Sequence, residues 1–130
     1  MSEIKVDTLT GKTTANDITV TVGATATMSL EQGLAKAWFH FNMSTATIQD
    51  SLNAASITDS AAGTFLMNVS NALSSSEYAT LSAGGDNAIN NNTSDTNQPT
   101  SSSQYRHNHF ENNVATDIAN VSNSALGDLA

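Results

Sequence analysis

Apolar and polar residues alternate through most of this chain, in short runs separated by small turn residues. An alternation of period two sends successive side chains to opposite faces of a strand, so each run predicts a half-buried β-strand. The runs recur about every ten residues, which is typical of an all-β sandwich or barrel-like domain. The predicted strands cover residues 3–10, 18–22, 34–42, 45–49, 54–58, 63–70, 77–83, 104–110 and 114–125.

Two stretches depart from this pattern. Residues 23–33 alternate but also fit a short helical turn, and both conformations stay open. Residues 90–103 carry no apolar side chain except the only proline of the chain, so they predict a solvent-exposed loop. Tyr105 adjoins this loop, and recognition residues concentrate on loops. We therefore predict a receptor or glycan contact that involves Tyr105, Asn91 and Asn92.

The strand around Trp38 holds three of the seven aromatic residues, Trp38, Phe39 and Phe41. Its alternation puts Phe39 and Phe41 on one face and Trp38 and His40 on the other, which favours a central strand. We predict that the aromatic residues of this strand and of a later one lie in the core or in a subunit interface, namely Trp38, Phe39, Phe41 and Phe65. The alternative is a displayed aromatic platform that stacks on sugar rings.

Length and composition predict one main domain with an appended arm. The chain has 130 residues, of which 38% are hydrophobic, and many of these are alanine. We assign residues 1–33 to an extended β-arm that serves attachment or oligomerisation, and residues 34–130 to the C-terminal β-domain. Such a thin core favours an obligate oligomer, in which sister chains bury additional surface.

Charge and residue types exclude several function classes. A net charge of −8 with only four Lys and Arg residues argues against a nucleic-acid partner. No apolar run approaches about 18 residues, so we expect no membrane insertion, and the N-terminus is not that of a secretory signal. The absence of cysteine excludes disulfides, zinc–thiolate sites and thiol nucleophiles.

No catalytic pattern emerges from the remaining polar residues. The serines form no G-x-S-x-G elbow. The aspartates match neither a calcium loop nor the carboxylate pair of a glycosidase. We predict no enzymatic activity and no cofactor.

Four stretches carry a family resemblance: EIKVDTLTGKTTANDITV near the start, GLAKAWFHFN, TIQDSLNAASITDSAAGTF, and ALGDLA at the end. With these the chain resembles short fibre and tail-fibre-like structural proteins of bacteriophages, especially phages of marine bacteria. The resemblance implies a virion protein made in the host bacterial cytoplasm, an intertwined homotrimer whose arm contacts other virion proteins. A trimeric tail fibre or spike is the first expectation. A capsid-surface fibre or decoration protein is the alternative, and an adhesin module that binds host glycans is a second one.

His107 and His109 suggest a metal site in such a trimer. They lie two residues apart on a predicted strand, so both imidazoles point to the same face. On a three-fold axis the pair from each chain would supply six nitrogens, a set that suits an octahedral transition metal. The alternative is a polar strand beside a loop, with no metal.

Overall fold

The computed structural model describes residues 4–10, 18–22, 25–30, 33–84 and 93–130. These residues form strands and no helix, which confirms the all-β prediction, and none of them belongs to a helix able to cross a membrane. The chain divides into two compact units, Met1–Leu34 and Ala35–Ala130. The strands are β1 (Thr19–Val22), β2 (Ala26–Ser29), β3 (Ala37–Asn42), β4 (Thr47–Leu52), β5 (Ala54–Ala61), β6 (Thr64–Val69), β7 (Ala79–Gly84), β8 (Thr93–Ser101), β9 (Gln104–Glu111), β10 (Val114–Ala115) and β11 (Val121–Leu126).

The first unit contains an antiparallel hairpin. Strand β1 pairs with β2, and the amide of Leu30 extends the ladder by donating to the carbonyl of Ile18 (2.7 Å). Strand β2 occupies the stretch whose conformation the sequence left open. The strand predicted over residues 3–10 is not formed by residues 4–10, which alternate but are exposed. An alternating segment becomes a strand only when another strand pairs with it, and no described strand runs beside this one.

The second unit consists of two antiparallel sheets. One has the order β4-β3-β11-β7. In the other, β8 pairs along one edge of β9, while β6 and then β10 pair along the opposite edge, and β5 lies outside β6. Phe39 of β3 meets Tyr105 of β9 edge-on with ring centroids 5.9 Å apart, and Phe41 lies 5.7 Å from Phe65 of β6. Because these contacts join the inner faces, the two sheets pack as a β-sandwich.

The core lies between the sheets and follows the period of two. Strands β3, β6 and β11 bury every second residue, as the alternation predicts. Burying a large apolar side chain contributes about 1.5–3 kcal/mol, so this layer supplies much of the driving force for folding. The buried apolar residues are Ala37, Phe39, Phe41, Met43, Phe65, Met67, Val69, Leu73, Tyr105, Ile118, Val121 and Ala125.

Strand β8 replaces most of the predicted loop. Residues 93–101 pair with β9 from Thr93 opposite Glu111 to Ser101 opposite Gln104. The loop prediction was wrong because backbone hydrogen bonds to β9 and polar side chains hold this strand, rather than apolar burial. Thr100 Oγ1 donates to the carbonyl of Gln104 (2.9 Å), for example. The proline is compatible with an edge strand, and the register shifts just after it.

Two asparagines join the sheets at opposite sides of the sandwich. Asn53, with a positive φ of 56°, sits where the chain passes from β4 to β5. Its Nδ2 donates to the carbonyls of Lys36 and Asn71 (both 3.0 Å), and its Oδ1 accepts the Asn71 amide (2.7 Å). On the other side, Asn97 Nδ2 of β8 donates to the carbonyl of Leu81 in β7 (3.0 Å). These bonds hold the edges of the two sheets together.

Candidate functional site

A trough runs along the outer face of the four-stranded sheet. The alternation that sends Phe39 and Phe41 into the core turns Trp38 and His40 of β3 outward. The neighbouring strand β11 presents Ser122 and Ser124 beside Trp38 and His40, and the next strand, β7, presents Leu81. Small side chains between larger ones leave a trough of about 390 Å³ over β11.

The strand register arranges the outward side chains in two rows across the sheet. The first row is apolar and aromatic with one hydroxyl: Leu52, Trp38, Ser124 and Leu81. The second row is mostly polar: Asp50, His40, Ser122 and Ala83. Neighbouring residues within a row stand about 5 Å apart and the rows about 7 Å apart. Leu52 is 47% and Leu81 61% exposed, so the first row presents apolar surface to solvent.

A hydrogen bond orients the imidazole of the second row. His40 Nδ1 lies 2.9 Å from Ser122 Oγ, which leaves Nε2 as the ring nitrogen that faces away from the serine. Across the other strand boundary, Asp50 Oδ1 accepts the amide of Ser51 (2.8 Å), so the carboxylate is also held in place. The row thus offers both donors and acceptors to a bound molecule.

Aspartate, histidine and serine also form hydrolytic triads, but Asp50, His40 and Ser122 are arranged differently. Triad chemistry requires the carboxylate to hold the imidazole by a direct hydrogen bond. Asp50 stands opposite His40 in the register, yet no ion pair or hydrogen bond joins the two within the described part of the chain. The row thus lacks the carboxylate–imidazole contact of a triad and offers its polar atoms as separate hydrogen-bonding groups.

Tyr105, predicted to contact a receptor, is completely buried on β9. Its hydroxyl donates to Asn123 Oδ1 across the core (2.7 Å). Burial raises the pKa of Tyr105 far above its usual value, and the nearby phenol of Tyr78 adds to the rise. Because it has no exposed surface, Tyr105 cannot make the predicted receptor contact in this structure. Asn91 and Asn92, the other two predicted contact residues, lie outside the described residues.

His107 and His109 share one face of β9, and this face is the inner one. Both are completely buried. His107 Nδ1 lies 2.9 Å from Asn97 Oδ1, and His109 Nε2 lies 3.7 Å from a carboxylate oxygen of Glu111. Side chains sealed inside one sandwich cannot meet their copies on an axis between subunits. The described residues also contain no group of three or more His, Asp or Glu side chains able to hold a metal ion.

The four residues predicted to form core or interface divide between two surfaces. Phe39, Phe41 and Phe65 are completely buried, whereas Trp38 is half-buried on the outer face. Sequence reasoning missed Leu81, Ser122 and Ser124 as its neighbours. Their own alternation indicates an outward face, but nothing local in the sequence shows that β11 and β7 lie beside β3.

Comparisons with known proteins were made by family, by sequence and by structure. No protein-family model, no curated protein and no solved structure matches the chain. The function proposed for the chain therefore rests on the exposed apolar residues before β1 and on the resemblance of the sequence to short phage fibre proteins.

Proposed function

We propose that the chain is a structural protein of a bacteriophage particle, in which the arm of residues 1–33 attaches to the particle and the sandwich is displayed. The main support is the segment before β1. Ile4 and Val6 alternate with polar residues and are 86% and 56% exposed. An extended segment with this pattern is suited to adding a strand to the sheet of another protein, where its apolar face becomes buried. Other virion proteins are the expected partners.

Within this class, the leading role is a subunit of a homotrimeric tail fibre or spike that contacts the host surface. It is supported by the resemblance to short fibre proteins and by exposed apolar residues of the second unit away from the trough, such as Val114 and Leu129. Sister chains that cover such residues offset a modest core. Native mass spectrometry of the purified chain tests the oligomer: a trimer has three times the 13.5 kDa chain mass, and a monomer at every concentration contradicts it.

A second role, capsid-surface fibre or decoration protein, is favoured by the closure of the sandwich within one chain. Both sheets and the buried core come from residues 35–130. The edge strands β4, β5 and β8 carry register shifts, and such irregularities discourage pairing with further strands. A compact domain of this kind needs no strands from sister chains to complete its sheets.

Immunogold electron microscopy separates these roles. Antibodies raised against residues 35–130 are applied to particles purified from a culture that produces the protein. Gold at the tail supports the fibre or spike, and gold on the head supports the decoration protein. Particles that carry no label, from a culture whose lysate contains the protein, contradict the virion proposal.

Substitutions in the arm test its attachment role. Ile4→Asp combined with Val6→Asp places two negative charges on the apolar face, and we expect at least a tenfold loss of incorporation into particles while the sandwich stays folded. Lys5→Asp is the matched control, because Lys5 is exposed on the opposite face of an extended segment and its replacement changes the net charge by the same amount. Equal incorporation of the two variants contradicts attachment through the apolar face.

A further inference from the structure

We infer that the trough on the outer face of the four-stranded sheet binds a neutral saccharide, with one sugar ring stacked on Trp38. The inference rests on the proposed function, in which the sandwich is displayed, and it names the ligand class of the displayed face. Three observations carry it: the apolar first row, the polar second row, and the absence of Lys and Arg from the described residues that line the trough.

The apolar row matches the carbon face of a sugar ring. Trp38 presents a flat, half-buried indole between Leu52 and Ser124. Amphipathic aromatic side chains bind ligands that are apolar on one side and wet on the other. Ser124 is small enough to leave room beside the indole, and the exposed Leu81 forms the far wall. A ring that lies on Trp38 is thereby confined to the trough over β11.

The polar row lies where the hydroxyls of such a ring would project. It runs parallel to the first row at about 7 Å, the distance of two residues along a strand. Ser122 engages His40 Nδ1, so Nε2 is the ring nitrogen that a sugar hydroxyl could bind. Asp50 uses one carboxylate oxygen for the amide of Ser51, and its second oxygen can accept from a sugar. A few convergent polar groups beside an apolar surface give such a site its specificity.

Charge selects the kind of saccharide. The described residues that line the trough include neither Lys nor Arg. Asp50 adds a negative charge at the border, and the chain as a whole carries −8. An anionic sugar would meet repulsion without a compensating cation. The site therefore favours neutral saccharides over uronic acids, sialylated glycans and phosphorylated glycans.

The single tryptophan of the chain makes the test direct. Purified full-length protein is titrated with a panel of neutral hexasaccharides of glucose, galactose, mannose and N-acetylglucosamine, and with their uronic-acid counterparts, while Trp38 fluorescence is recorded. We expect at least one neutral glycan to shift the emission saturably, and the acidic counterparts to bind at least tenfold more weakly. In NMR, the same glycan should perturb the amides of β3 and β11.

Variants assign the binding to the trough. Trp38→Ala and His40→Ala should each weaken binding about tenfold or more, since one lost stacking or hydrogen-bonding contact accounts for a change of that size. Trp38→Phe should retain part of the affinity. The matched control is Phe110→Ala, which removes a half-buried aromatic from the outer face of the other sheet and should leave binding within twofold. Binding by the variants is followed by NMR or calorimetry.

Two results overturn the inference. One is that no neutral glycan of the panel perturbs Trp38 or the β3 amides at millimolar concentration. The other is that Trp38→Ala leaves glycan binding unchanged. If the same variant also alters the oligomer mass, the trough is a subunit interface instead. Neither result depends on where antibodies label a particle, so failure of the glycan site and failure of the virion proposal are distinguished.

Discussion

The two faces of β3 carry the same kinds of residue in different environments. On the inner face, Phe39 and Phe41 have no exposed surface and pack against the opposite sheet. On the outer face, Trp38 and His40 are half-buried and border a trough lined by serines. Aromatic character alone therefore does not distinguish a packing residue from a surface residue. The alternation of period two decides on which face of β3 a residue lies. The neighbouring strands decide what that residue can contact.

The largest expected effect contrasts adjacent residues on the two faces. Phe39→Ala removes a completely buried ring and should lower the free energy of unfolding by about 3–5 kcal/mol. Trp38→Ala should cost about 1 kcal/mol or less, because the indole is only partly covered and surface changes have small effects. Urea unfolding followed by far-UV circular dichroism measures both. Equal losses would mean that the outer face is packed as tightly as the inner one.

A smaller effect is expected from the polar contact inside the core. Tyr105→Phe removes the hydroxyl that donates to Asn123 Oδ1 and leaves that oxygen buried without its donor. The expected loss is about 1–3 kcal/mol in the free energy of unfolding. Adding Asn123→Leu removes the stranded amide as well and should recover part of the loss. If Tyr105→Phe is as stable as the parent chain, the inner face does not depend on this hydrogen bond.

The two tyrosines also predict how stability depends on alkaline pH. Burial raises the pKa of Tyr78 to about 12 and raises that of Tyr105 further, whereas both ionise near pH 10 in the unfolded chain. Their contribution is complete below pH 10 and is lost as the pH rises from there to about 12 and beyond, because the unfolded state releases protons that the folded state keeps.

Urea unfolding at intervals between pH 9 and pH 12 measures this decline. Tyr78→Phe should make it shallower, and Tyr105→Phe shallower still, since the inner-face phenol is the more strongly perturbed. Tyr78 donates to the carbonyls of Ser101 (3.0 Å) and Gln104 (2.7 Å), so each variant is compared with its own stability at pH 9. A constant free energy of unfolding from pH 9 to pH 12 would contradict burial of both phenols.

The smallest effect is expected at the rim of the trough. Leu81 is 61% exposed on the outer face, so Leu81→Ser should change the free energy of unfolding by no more than about 0.5 kcal/mol. Val121→Ser, on the inner face of the neighbouring strand, is the matched change at a completely buried site and should cost several times more. Similar values for the two would remove the distinction between the faces.

Local alternation was enough to predict the core strands but not every strand. In β3 and β6 the period of two predicts both the element and its buried face, because apolar burial stabilises them. Residues 4–10 show the same pattern without forming a strand, since pairing also needs a neighbour. Strand β8 shows the converse: it has no apolar residue besides Pro99, yet its backbone pairs along the whole of β9.

The candidate site was predictable only in part. Trp38 stood out in the sequence, with core, interface and sugar platform as open interpretations. Its setting depends on long-range pairing: His40 meets Ser122 from 82 residues away, and no local pattern reports such a neighbour. The prediction that His107 and His109 meet their copies between subunits was wrong for a related reason. His107 is polar, but Asn97 from β8 accepts its hydrogen bond inside the sandwich, and that partner lies in a segment predicted to be loop.

Acrylamide quenching of the Trp38 fluorescence decides whether the outer face of β3 is displayed. The chain has one tryptophan, so the whole signal reports on this position. The structure predicts that Trp38 is quenched in the folded protein, that quenching is the same in dilute and concentrated samples, and that a bound neutral saccharide protects it. Blue-shifted emission that acrylamide does not quench would contradict this, because it would place Trp38 in a sealed interface between subunits.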